Sequence, residues 1–228
     1  MRGAVQTETG IAVTADNLEV ARSSETILIG VKPAVVLAVL REIAPVTEGK
    51  MLISLAAGVR VRNMESISNA RLMRAMTNTP TAISCGATAI ARGARTVPDD
   101  VLRARTIFDA IGVTVEVNED QIDAVTALSG SGPAFVYKVI QALAEGGERC
   151  GLPAEAAMTL AVQTVLGAAQ LATESGKSPE ELIKMVVTPG GTTAAGLAEM
   201  EKLGTAKSLI AAVEAATRRG QRMASENQ

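Results

Sequence analysis

The sequence predicts an α/β amino-terminal half joined to an all-α carboxyl-terminal half. Short apolar, β-branched runs alternate with helix-patterned stretches up to about residue 119. Beyond that point strand signals end and alanine-rich helical stretches follow one another, separated by Gly, Ser and Pro turns. A strand–helix–strand rhythm in the first half argues for a parallel, doubly wound sheet.

In chain order, Ile11–Val13 reads as a short strand, and Asp16-Asn17 can cap a helix over Leu18–Arg22. Thr26–Val31 is apolar enough for a buried, central parallel strand. Pro33 then opens a helix to Ile43, as Pro does at a first helical position. Met51–Leu55 is the next strand, with Ala56-Ala57-Gly58 as its tight exit. Strands follow at Arg71–Met76, Ala87–Ala91 and Val113–Val117, with a helix over Asp99–Ile111. Helices are then expected at Pro133–Arg149, Pro153–Glu174, Pro179–Val187, Thr193–Leu203 and Thr205–Met223. The apolar residues of these helices lie on more than one face. Burial on two sides, as in a helical dimer, explains that pattern; a self-contained bundle is the alternative.

Composition removes several classes of function. The chain of 228 residues has no histidine, which excludes Ser-His-Asp and Cys-His nucleophiles and the usual zinc sites. Any demanding chemistry would therefore come from a cofactor or an already reactive substrate. With a net charge of −2, one Tyr, two Phe and no Trp, neither a basic surface nor base-stacking rings are available, so no nucleic-acid partner is expected. Residues 1–10 carry no apolar signal-peptide core. The longest apolar stretch, Ile27–Leu40, is broken by Lys32-Pro33, so no membrane span is expected. Cys85 and Cys150 are isolated and read as reduced, buried thiols of a cytoplasmic protein, with Met76 also in the core.

The densest chemical signal is Val187-Thr188-Pro189-Gly190-Gly191-Thr192-Thr193. Pro and two glycines force a turn, and Thr192 and Thr193 open a helix whose free N–H groups can seat a carboxylate or phosphate. An ordinary capped helix–helix turn fits the same residues. Ser129 and Ser131 ahead of Pro133 are open between caps and site residues. Lys32 is open between a solvent-facing lysine and a ligand contact at a strand's carboxyl end.

Five motifs stand in one order: Val31-Lys32-Pro33, Ala56-Ala57-Gly58, Arg74-Ala75-Met76-Thr77-Asn78-Thr79-Pro80, Ala127-Leu128-Ser129-Gly130-Ser131-Gly132-Pro133-Ala134-Phe135, and Thr188 to Thr193. Together they resemble the pyrroline-5-carboxylate reductase family over essentially the whole chain. The resemblance implies a Rossmann-like NAD(P)-binding domain over residues 1–122 and an all-α dimerisation and substrate domain over 123–228. It implies reduction of 1-pyrroline-5-carboxylate to L-proline, the last step of proline biosynthesis, with NADPH or NADH. A homodimer, or a ring of dimers, would assemble each site from one subunit's cofactor domain and its partner's helical domain.

Carried over by the resemblance, Val186, Thr188, Gly191, Thr192 and Thr193 would contact the cyclic imino acid, with Thr193 at the imine nitrogen as the catalytic residue. Asn17, Val31, Lys32, Pro33, Ala56, Ala57 and Gly58 would line the cofactor groove. Asn78-Thr79-Pro80 reads as a structural turn bordering the cofactor. The chain departs from the family at Thr77, where Pro is common, and at Met185 and Val187, where an Asn and a hydroxyl are usual. No Gly-x-Gly-x-x-Ala loop follows a strand, so the first βαβ unit is missing, the strand Thr26–Val31 loses a neighbour and is left as an apolar edge, and the chain reads as a shortened reductase. The alternatives are a non-catalytic helical dimer and a related reductase of another imine or a 2-oxo acid.

Overall fold

The computed structural model describes residues 2–226. Five strands form one sheet in the order β1 (Thr26–Ile29), β2 (Met51–Ser54), β3 (Arg71–Met76), β4 (Gly86–Arg92) and β5 (Gly112–Glu116). Helices α1 (Arg2–Thr9), α2 (Asn17–Ser23), α3 (Pro33–Ile43), α4 (Val61–Glu65) and α5 (Pro98–Asp109) belong to this half. They are followed by α6 (Ile122–Val125), α7 (Gly132–Arg149), α8 (Ala154–Glu174), α9 (Pro179–Val186), α10 (Thr192–Lys202) and α11 (Thr205–Glu226).

Local chemistry accounts for the helix starts. Asp16 accepts hydrogen bonds from Leu18 N (2.8 Å) and Glu19 N (3.2 Å), capping α2 as expected. Pro33 stands at the first position of α3, and Ser178 with Glu181 closes a reciprocal box at the start of α9. The backbone N–H and hydroxyl of Ser178 hold the exposed Glu181 carboxyl below its ordinary range. At its other end α2 is finished from a distance. The Lys50 ammonium donates to the carbonyls of Ala21, Arg22 and Ser24, which the helix itself leaves without partners. Lys50→Met is expected to lower unfolding free energy by roughly 1–2 kcal/mol in a denaturant titration, since three charge-assisted bonds go but two acceptors regain water.

The core has two layers on the sheet. One face packs Val36, Leu40, Ile43 and Met64 against Ile27, Ile29, Leu52 and Leu72. The other packs Val101, Ala104 and Phe108 of α5 against Ile53, Met73 and Ile90. Apolar strands buried from both sides are what an α/β sheet requires.

Several expectations are corrected. β1, β2 and β3 are parallel, and so are β4 and β5, but β3 and β4 run antiparallel. The link between them, residues 77–85, is too short for a parallel crossover, which needs a dozen residues or more. Thr26–Val31 is the sheet's edge, as expected from its loss of a neighbouring strand, with Leu28 about half exposed. Ile11–Val13 forms no strand, because no described strand lies beside it, whereas Arg2–Thr9 is helical.

Cys85 and Cys150 are exposed and Met76 is only half buried. Cys85 follows Ser84, whose left-handed backbone (φ 57°) ends the 3-10 turn Thr79–Ile83 at the surface. One helix among the described residues is long and apolar enough to cross a membrane by length and composition alone. α8 has 21 residues with a mean hydropathy of 1.3 in its most apolar window, a result of its Ala, Val and Leu content rather than of a continuous large-residue run.

By its Cα packing the chain divides into one unit of residues 1–131 and 214–228, and another of residues 132–213. This places 123–131 with the sheet rather than with the helices. Ile122 joins Ala89 and Ala91 in a buried cluster, and Asp123 pairs with Arg60, so the stretch is anchored before α7 begins. Met1, Asn227 and Gln228 lie outside the described residues. In the second unit α7 and α8 pack through Ile140, Ala144, Ala157 and Ala161. Their other faces leave Leu143, Leu160, Leu166 and Leu171 exposed.

Candidate functional site

The proposed cofactor residues gather at the carboxyl ends of the parallel strands, the edge at which open α/β sheets bind ligands. Val31, Lys32 and Pro33 leave β1; Ala56, Ala57 and Gly58 leave β2. Ile29 and Ser54 are register partners, and Leu55 N donates to Ile29 O at 3.0 Å, so the two exits begin side by side. Gly58 turns with φ 72°, a conformation costly for a side-chain-bearing residue. Val31 and Lys32 are exposed, Pro33 and Ala57 half-buried, and Ala56 and Gly58 buried. Lys32 is the N-cap residue of α3, and as a pure donor its ammonium cannot cap the helix N–H groups.

Asn17 stands apart from these loops by its bonding. Its Nδ2 donates to Glu42 Oε2 at 2.9 Å, tying α2 to α3. It also lines a hollow of about 110 Å³ with Val20, Ile27, Ile29, Val31 and Val39. Among the described residues no glycine-rich turn joins a strand to a helix start, so nothing here supplies the usual pyrophosphate seat.

The expected substrate residues form a separate, compact element. Thr188, Pro189, Gly190 and Gly191 make a tight turn in which Gly191 N donates to Thr188 O at 3.0 Å and Gly190 takes φ 73°. Pro then Gly with positive φ is the chemistry of a type II turn. Gly191 is the N-cap of α10, and a Cβ there would lie 2.3 Å from Thr188 Oγ1, so only glycine lets that hydroxyl approach. No side chain caps α10, leaving the N–H groups of Thr192 and Thr193 at its open end. Thr188, Thr192 and Val186 are exposed and Thr193 is half-buried.

Spacing along the sequence hid two further constellations. Arg74 on β3 is almost fully buried, yet its Nη1 reaches Glu119 Oε1 at 3.2 Å. Glu119 also accepts from Val61 N, and Arg60 Nη2 meets Asp123 Oδ2 at 3.2 Å. Burial lowers the Arg74 guanidinium from its ordinary value while Glu119 opposes that shift. The one signal available beforehand was an arginine inside the apolar run Leu72-Met73-Arg74-Ala75-Met76.

The second constellation involves Asn78. Its Nδ2 donates to Ser129 O at 3.1 Å while its Oδ1 accepts from Ala87 N at 2.9 Å. Thr77, in place of the common Pro, shares a hydrogen bond of 2.9 Å with the Thr88 hydroxyl.

Comparisons with known proteins agree with one another. The family described as pyrroline-5-carboxylate reductase dimerisation matches residues 119–223, and the family described as NADP oxidoreductase coenzyme F420-dependent matches residues 2–58. The pyrroline-5-carboxylate reductase of Synechocystis sp. is 44% identical over 214 residues, covering 93% of this chain and 80% of its own length. That of Pisum sativum is 41% identical, over 94% of this chain and 79% of its own. Among solved structures, the Coxiella burnetii pyrroline-5-carboxylate reductase superposes with a TM-score of 0.92 at 34% identity, covering 96% of this chain and 83% of that one. The Plasmodium falciparum pyrroline carboxylate reductase with NADP bound gives 0.85 at 32% identity, with 95% and 83% coverage.

Proposed function

This chain belongs to the pyrroline-5-carboxylate reductase family, and on that premise we propose which of its residues carry the family's reaction. The reaction is the NAD(P)H-dependent reduction of 1-pyrroline-5-carboxylate to L-proline. A cyclic imine is readily protonated on nitrogen and is then a good hydride acceptor, which suits a chain without histidine. NAD(P)H supplies the hydride. The protein's share is to hold the imine carbon toward the cofactor and to neutralise the ring carboxylate.

The start of α10 supports the carboxylate site. Its uncapped N–H groups follow a Pro-Gly-Gly turn that brings the Thr188 hydroxyl against Gly191. An anion there gains both the N–H donors and the helix's positive end. Thr192, Gly191 and Thr188 surround this point, Val186 offers an exposed apolar contact, and Thr193 donates to or accepts from the imine nitrogen. Val31, Lys32, Pro33, Ala56, Ala57 and Gly58 form the cofactor groove, with Asn17 at its far end.

Residues 119–223 match a dimerisation family, and the exposed leucines of α7 and α8 are the surface a second copy covers. The same covering accounts for α8 without a membrane. We assign the dinucleotide function to residues 1–122 with the anchored stretch 123–131, and substrate binding with dimerisation to the helices that follow, the two halves of each site meeting across the homodimer. A ring of dimers, a cytoplasmic location and a small-molecule substrate with no nucleic-acid or membrane partner complete the reading. Calorimetric titration with NADPH tests the groove. Binding in the micromolar range is expected, and no heat at millimolar NADPH would return the chain to a non-catalytic dimer.

A further inference from the structure

Asn78 is more than the turn residue its neighbours suggest. It leaves β3, the next strand in the row after β1 and β2, and so stands at the same carboxyl edge as the proposed cofactor loops. Both ends of its carboxamide are engaged inside the protein, by the Ala87 N–H and the Ser129 carbonyl. The donor and acceptor demands of those two partners fix which end is nitrogen. With both ends engaged, the side chain acts on what it holds.

What it holds is a π turn, Thr126–Gly130, closed by Ser131 N donating to Thr126 O at 2.8 Å. Such turns are rare and concentrate at functional sites. Gly130 lies on Met76, the last residue of β3, so closely that a Cβ would come within 2.8 Å of the Met76 methyl. Ala127 of the turn is buried, whereas Leu128 is exposed. A hollow of about 200 Å³ lies beside the turn, lined by Val125, Leu128 and Ser129 with Ala87, Val113 and Val115. Within the helix, Thr126 Oγ1 donates to Ile122 O at 2.8 Å and Ser129 Oγ to Val125 O at 3.0 Å, while the Asn78 amide ties the turn's Ser129 carbonyl to the exit of β3.

We infer that Asn78 is a positioning residue: by clamping the Ser129 carbonyl it holds the π turn Thr126–Gly130 as a wall of the cofactor groove beyond the exit of β3. This rests on the groove proposed above.

Asn78→Asp isolates the clamp, because it keeps an acceptor for Ala87 N but turns a carboxylate toward the Ser129 carbonyl. Asn78→Ser, too short to reach Ser129, serves if the first variant fails to fold. Amide exchange followed by mass spectrometry on the cofactor-free chain is expected to speed up about tenfold or more in the peptide holding residues 126–131. Exchange of the β1 and β2 peptides should stay as in the parent. In the same variants kcat should fall roughly tenfold while KM for the imino acid changes less than about threefold, a split that general destabilisation would not give.

Unchanged exchange in the turn overturns the clamp. A loosened turn with unchanged kcat overturns its role as a wall. If the parent chain binds no NADPH, the groove itself fails, and the exchange result still decides whether Asn78 holds the turn.

Discussion

Replacing Arg74 with alanine is expected to lower the unfolding free energy by about 3 kcal/mol, the largest single-residue stability effect the fold implies outside its apolar core. Arg74 is 2% exposed, whereas its partner Glu119 keeps 24% of its side-chain surface in water. Removing the arginine strands a carboxylate that still accepts from Val61 N but has lost its neutralising charge. The residual water access of Glu119 sets the cost at the low end of the roughly 3–5 kcal/mol typical of broken buried pairs. Against a total stability on the order of 5–15 kcal/mol, that loss would leave a marginal protein partly unfolded at 37 °C. Arg74→Met combined with Glu119→Gln removes both charges and should recover most of the loss. Urea titration of Arg74→Met, Glu119→Gln and the double variant gives the coupling directly. Additive losses would mean that the pair contributes nothing as a pair.

Thr193→Ala is expected to reduce kcat/KM roughly ten- to a hundredfold, about one hydrogen bond at a reacting centre. Thr193 occupies the second position of α10, not its N-cap, so its removal should change stability by only a few tenths of a kcal/mol. The kinetic and structural roles are thus separable. Thr193→Ser keeps the hydroxyl and should recover most of the activity, whereas Thr193→Val keeps the shape and should not. Parent-like kinetics in Thr193→Ala would leave the residue as part of an ordinary helix start.

Much of this architecture was legible because it is local. The apolar runs at Thr26, Met51, Arg71, Ala87 and Val113 are strands within a residue or two of their expected limits, and the carboxyl-terminal helices begin where Pro, Ser or Gly-Thr chemistry starts them. Direction of pairing was not local. Only the short 77–85 link, weighed against the length of a crossover, signals that β4 reverses. Pattern alone also failed for Ile11–Val13, since a strand needs a neighbour as well as β-branched residues.

The candidate site divides in the same way. The Pro189-Gly190-Gly191 turn and the exits of β1 and β2 are contiguous in sequence and could be read there. Arg74 with Glu119, 45 positions apart, and Asn78 with Ser129, 51 apart, became visible only when the fold brought them together. An isolated arginine in an apolar strand and a polar Asn at a strand exit were the traces they left.

The central claim is tested most directly by turnover of the purified chain with 1-pyrroline-5-carboxylate and NADPH, run beside 1-pyrroline-2-carboxylate and small 2-oxo acids. Proline should form in equal amount to the NADPH consumed, with kcat/KM highest for 1-pyrroline-5-carboxylate. No proline from a folded chain that binds NADPH, or a higher kcat/KM for one of the other acceptors, would contradict it.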